Sequence, residues 1–196
     1  MATKKTKTAK KNAPDFYARF FALVEKRGWF ALTLPEIAKA TGVSLSQLLE
    51  TYGDKSEILT QFGKKLDVQL AHTAVSSDEP LKDKLFDVVM QRFDALAPYR
   101  AGLIRLVEDM QSHPISAVVL CLETVCGFTR SMALMFEIAG ISTTNPRAVF
   151  GVVGLKIVYL STLRTWKYDD SADLSATMAT LDRGLTRLVS MLRFDR

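Results

Sequence analysis

Apolar positions recur at intervals of three and four residues through most of the chain and nowhere alternate one by one, which predicts amphipathic helices and no strands. A first helix is expected from Asp15 to about Arg27, with Phe16, Phe20, Leu23 and Val24 on one face. Three short-range signals then follow. Thr33 with Glu36, Ser44 with Gln47, and Asp54 with Glu57 each set a cap acceptor three residues before a side chain that can reach back to the cap amide. Gly42 and Gly53 stand where the first two of these helices must stop, because glycine takes a left-handed C′ conformation without a Cβ clash. The segment from Leu45 to Tyr52 is therefore a helix of about two turns.

The next helix starts at Lys55 and is expected to run to about Val75, before a break at residues 76–80 that ends in Pro80. A fifth helix carries Leu81, Leu85, Val88, Val89, Phe93 and Leu96, and a sixth, Tyr99 to Gln111, carries Leu103, Leu106, Val107 and Met110. His113-Pro114 ends it, since the residue before proline avoids the α region. The seventh, about Ile115 to Ala139, shows charges only at Glu123, Arg130 and Glu137. A helix so apolar is buried on most sides, and Phe128, Met132, Met135 and Phe136, with Phe93, Met110 and Tyr159, are candidates either to line an internal apolar cavity or simply to fill a core.

Pro146 opens an eighth helix reaching Trp166, in which Gly151 and Gly154 each cost roughly 1 kcal/mol of helix propensity and so suggest close approach of another backbone. A ninth carries Leu174, Met178, Leu181, Leu185, Leu188 and Leu192 in a four-three spacing, a seam for side-by-side packing. That seam either packs within the monomer or, with Gly151 and Gly154, forms half of a dimer interface; the dimer is the expectation here. The fold class is all-α, with about nine helices.

At 196 residues, 48% apolar and 24% charged, the composition is that of a folded globular protein. No run approaches the ~20 uncharged residues of a membrane span. Cys121 and Cys126 lie roughly 140° apart on one helix and are expected to be free thiols in a reducing cytoplasm, since no CxxC and no secretory signal is present. The net charge of +5 equals the five lysines at positions 4, 5, 7, 10 and 11, so residues 12–196 sum to about zero. Residues 1–14 are expected to be a disordered basic tail, with Lys10 and Lys11 either contacting DNA phosphates or anionic lipid, or merely solubilising the chain. Neither His72 nor His113 has a second ligand at metal spacing, and no phosphate loop or carboxylate pair stands out. No catalytic residue, metal or cofactor is expected.

Residues 16–62 resemble the amino-terminal domain of the TetR family of bacterial regulators, through Arg27-Gly28-Trp29, Ile37-Ala38, Gly42-Val43-Ser44 and Tyr52-Gly53-Asp54-Lys55. The resemblance implies a helix-turn-helix over residues 15–62 and a ligand-binding and dimerisation domain over 63–196. It implies double-stranded DNA as a partner through Thr33, Ser44, Gln47 and Lys55, with a small apolar ligand as effector. The sequence departs from the family pattern at Leu45, Leu49, Glu50 and Thr51, where cations, a tyrosine and another aromatic are usual. Segments 90–100 and 164–185 look like TetR-fold proteins related to the accessory lipid-binding component of ubiquinone biosynthesis. They imply the alternative of a lipid or isoprenoid binder without DNA function, with peripheral membrane contact.

Overall fold

The computed structural model describes residues 15–72, 78–113, 127–144 and 146–192. The lysine tail, both cysteines and the first half of the expected seventh helix lie outside the described residues. Among the described residues all regular structure is helical: α1 Phe16–Arg27, α2 Leu34–Thr41, α3 Leu45–Tyr52, α4 Lys55–Ala71, α5 Leu81–Leu96, α6 Arg100–Ser112, α7 127–138, α8 Pro146–Tyr168 and α9 Ser175–Leu192. A 3-10 turn, Ala97–Tyr99, joins α5 to α6.

The helix starts follow the capping signals, with one difference. At α3 the box is reciprocal, Gln47 N–H donating to Ser44 Oγ (3.2 Å) and Ser44 N–H donating to Gln47 Oε1 (3.1 Å). At α2 the Glu36 carboxylate accepts both the N–H (3.0 Å) and the hydroxyl (2.9 Å) of Thr33. At α4 Asp54 caps the Glu57 N–H (2.9 Å), but the Glu57 carboxylate turns forward to Gln61 (2.6 Å) and Lys64 (3.6 Å) instead of back.

α1 is clamped between α2 and α6, burying Phe20, Phe21 and Val24 with Ile37, Leu48 and Ile58. The α1–α6 approach is close enough that a Cβ on Gly102 would sit 2.3 Å from the Phe21 carbonyl oxygen, so this position of α6 tolerates no side chain. At the far end of α1, Gly28 turns at φ +78°, and the Asp109 carboxylate of α6 accepts the Trp29 N–H at 2.5 Å while pairing with Arg105 at 3.0 Å. Phe62 of α4 packs on Phe21 (4.7 Å between ring centroids) and on Tyr99 (4.9 Å). Apolar packing is continuous from Tyr17 through these rings to Leu188, without a gap near residue 62.

α8 and α9 form an antiparallel hairpin laid against α5. The hairpin corrects the expectation for the leucine seam. Leu181, Leu185 and Leu188 are buried within the protomer, and the expected close approach at the α8 glycines is to the chain itself. A Cβ on Gly154 would meet Leu188 Cδ1 at 2.3 Å, and one on Gly151 would meet Phe136 Cζ at 2.9 Å. The spacing identified side-by-side packing correctly, but it does not encode whose helix is the neighbour.

What α8 offers outward is a different stripe: Val149, Phe150, Val153, Ile157 and Leu160 are all exposed, Phe150 to 73% and Ile157 to 66%. At ~100° per residue they fall within one arc of the helix. By length and composition α8 could cross a membrane, with a mean hydropathy of 1.4 over its most apolar window. Its other face is packed on α9, and Lys156 in its middle donates to Thr129 Oγ1 of α7 at 2.9 Å.

Candidate functional site

Two regions carry candidate chemistry, the α2–turn–α3 unit and a pocket against α4. In the first, Gly42 at φ +76° turns the chain sharply from α2 into the cap of α3. Leu48 is buried and Leu45 and Leu49 are exposed to 40% and 44%, the placing that the TetR resemblance implies. Ser46, Gln47, Glu50 and Thr51 share that exposure. The outward side of α3 is thus two leucines, a carboxylate and short or amide side chains, with no cation.

The predicted DNA-contacting residues divide sharply. Thr33, Ser44 and Gln47 stand at helix starts, with their side chains engaged in the caps described above. Lys55 is half-buried and turned inward. Its ammonium donates to the carbonyls of Trp29 (2.9 Å) and Leu32 (3.1 Å) and lies 4.7 Å from the centre of the Trp29 ring. Burial pulls its pKa below the usual lysine value. Lys55 therefore fastens the turn between α1 and α2, and this use is invisible in sequence because it joins residues 26 apart.

Other cations of this region are similarly engaged. Arg19 donates to the Thr41 carbonyl (3.0 Å) and Arg27 pairs with Glu36 (3.2 Å), while Lys26 and Lys39 are exposed. Lys10 and Lys11 lie outside the described residues.

The second region is a pocket of ≈ 240 Å³ between α4, α5 and α7. Its lining includes Leu59, Gly63, Asp67, Arg92, Phe128 and Ser131, with Lys64 and Arg130 also contributing. Asp67 Oδ1 accepts from Arg92 Nη1 at 2.5 Å and from the Ser131 hydroxyl. Burial raises the pKa of the Tyr159 hydroxyl.

Of the two roles open to the apolar candidates in the sequence, most of them fill core. Phe93, Met132, Met135 and Phe136 are fully buried in the core, and Tyr159 stacks on Phe93 at 5.0 Å between centroids. Met110 is partly buried against the same core. Of the seven candidates, Phe128 is the one found in the described lining. Arg92 is not among those seven, yet it is legible in the sequence: it falls seven residues after Leu85, inside the apolar stripe of α5, where an arginine needs a buried partner. Among the described residues no group of three His, Cys, Asp or Glu side chains could hold a metal. His113 sits with its ring 4.9 Å from Phe30 and Nδ1 near the Asp109 carbonyl.

This arrangement of helices has counterparts among solved structures. A TetR transcriptional regulator from Nitrosomonas europaea ATCC 19718 superposes with a TM-score of 0.66 at 22% identity, covering 89% of this chain and 96% of that one. A TetR transcriptional regulator from Rhodococcus sp. RHA1 gives 0.57 at 14% identity, covering 89% and 92%. The fold is that of the TetR regulators. No family model matches the sequence, and no curated protein matches it.

Proposed function

We propose that the chain is a dimeric, ligand-responsive DNA-binding regulator of the cytoplasm. The observation that carries this reading is the α2–turn–α3 unit, whose second helix is independently capped and presents its whole outer side to solvent within a TetR-type fold. In this reading Thr33, Ser44 and Gln47 meet the duplex from the helix starts, and Leu45 and Leu49 touch thymine methyls in the major groove. Because Arg19, Arg27 and Lys55 are engaged internally, phosphate attraction falls to Lys26, Lys39 and the five lysines at 4–11, including Lys10 and Lys11. The dimer interface belongs to the exposed stripe of α8, where bare apolar area exceeds what scattered surface residues explain.

The deciding experiment titrates the protein against its own upstream DNA over a range of salt. Full-length protein should bind with a steep salt dependence, and deletion of residues 1–11 should flatten the log-log slope by up to roughly 0.9 for each phosphate the tail no longer neutralises. An absence of site-specific binding at physiological salt overturns the reading.

The second reading, a lipid or isoprenoid binder without DNA function, is favoured by the two leucines and the carboxylate on the outer side of α3. Leucines beside a lysine-rich arm also suit an anionic membrane. Substituting Leu45→Lys with Leu49→Tyr separates the readings. Under the second, the change weakens vesicle binding and strengthens DNA binding; under the first, it weakens recognition of the native site.

A further inference from the structure

The Asp67–Arg92 pair joins α4, the helix that leaves the helix-turn-helix, to the body of the protein. Side chains from α5 (Arg92) and α7 (Ser131) converge on the Asp67 carboxylate. The Arg92 side chain is 7% exposed and that of Asp67 22%. Such a pair is a poor source of stability, because removing both charges from water offsets most of their attraction. It also lies in the wall of an open pocket rather than in packed core.

The lining is charge-asymmetric. Among the described residues the lining holds the cations Lys64, Arg92 and Arg130 and one carboxylate, Asp67, although Lys64 also has Glu57 at 3.6 Å. Gly63 stands in the pocket wall inside α4, where a Cβ would meet nothing within 4 Å among the described residues. Among the described residues no packing neighbour accounts for that glycine, although glycine in a helix costs roughly 1 kcal/mol against alanine. Leu59 and Phe128 supply an apolar wall beside the cations. The volume equals about eight waters at ~30 Å³ each, enough for a short acyl chain.

The geometry points to an amphipathic carboxylate as the ligand of this pocket, its head taking Arg92 from Asp67 and its tail lying along Leu59 and Phe128. A carboxylate matches the guanidinium fork, which can donate two parallel N–H bonds to it. Once Arg92 is taken, Asp67 loses its charged partner and the hold on α4 slackens. The site itself is independent of the regulator reading; the effect on DNA rests on that reading.

The test compares octanoate, octanol and octylamine, which share one tail and differ in the head, by calorimetry with the full chain. Octanoate should bind roughly tenfold or more tightly than either control, the size of a charge-assisted hydrogen bond. Asp67→Asn should tighten octanoate binding by removing its internal competitor. In the double variant Asp67→Asn with Arg92→Gln, which keeps a neutral hydrogen-bonding pair, the preference for the acid should vanish. Gly63→Leu should block all three ligands by filling the space. Equal binding of the three heads, binding of none, an acid preference that survives the double variant, or octanoate binding unaffected by Gly63→Leu would each overturn the proposal. Octanoate that binds as described while leaving DNA affinity unchanged would uphold the site and refute ligand control of DNA binding.

Discussion

Lys55 shows how a residue can match a family's DNA-contacting position and still be structural. With its ammonium on two carbonyls of the α1–α2 turn, truncation leaves both acceptors without their charged donor. Lys55→Ala is expected to lower stability by roughly 1–2 kcal/mol in urea denaturation. It should leave the salt slope of DNA binding unchanged, because a lysine bound to backbone releases no counterion. Asp169 is the comparable fixture of the α8–α9 hairpin. Its carboxylate accepts from the Ser171 hydroxyl and N–H and from the Thr177 N–H (2.8 Å) and hydroxyl (2.7 Å), and these bonds hold its pKa far below the usual value. A depressed carboxylate stabilises the fold above the ordinary aspartate pKa of ~3.9 and loses that contribution as the pH falls through the folded value. Thermal midpoints of wild type and Asp169→Asn should therefore differ at neutral pH and converge in acid below about pH 3.9.

At the scale of elements, what was legible in sequence is what is decided locally. The starts of α2 and α3 could be read because cap and partner lie three residues apart, and Gly42 fixes the turn between them. The seam of α9 could be read as a seam, but Leu185 and Leu188 could not declare their neighbour, since one four-three pattern serves a partner helix in either chain. The same limit hid the pocket. Met132, Met135 and Phe136 look alike as core or as cavity lining, and the choice is made by how α7 sits on α5 and α8. A test of the proposed dimer separates the two faces experimentally. Val153→Glu with Ile157→Glu on the exposed stripe should give monomers with unchanged helical circular dichroism, seen by sedimentation. Leu185→Glu places a charge in the core and should unfold the protomer itself, at a cost of several kcal/mol.

Across the whole molecule, the helix-turn-helix is not a bead on a string. Gly102 brings α6 onto the backbone of α1, Asp109 fixes the turn after it, and Phe62 links both to α4. The two tryptophans are both buried in this continuous core, Trp29 beside the α1–α2 turn and Trp166 near the end of α8. Urea unfolding followed separately in Trp29→Phe and Trp166→Phe variants should give coincident transitions, once each is corrected for its own stability. A resolved earlier transition at Trp29 would show that the small domain melts by itself.

Because Leu181, Leu185 and Leu188 are consumed inside one chain, the chain completes its core without a partner, and the proposed dimer would form afterwards. Renaturation should then run on two clocks. Burial of Trp166 would proceed at a rate independent of dilution, and disappearance of the bare α8 stripe, followed with a fluorescent dye for apolar surface, would slow in proportion as the protein is diluted.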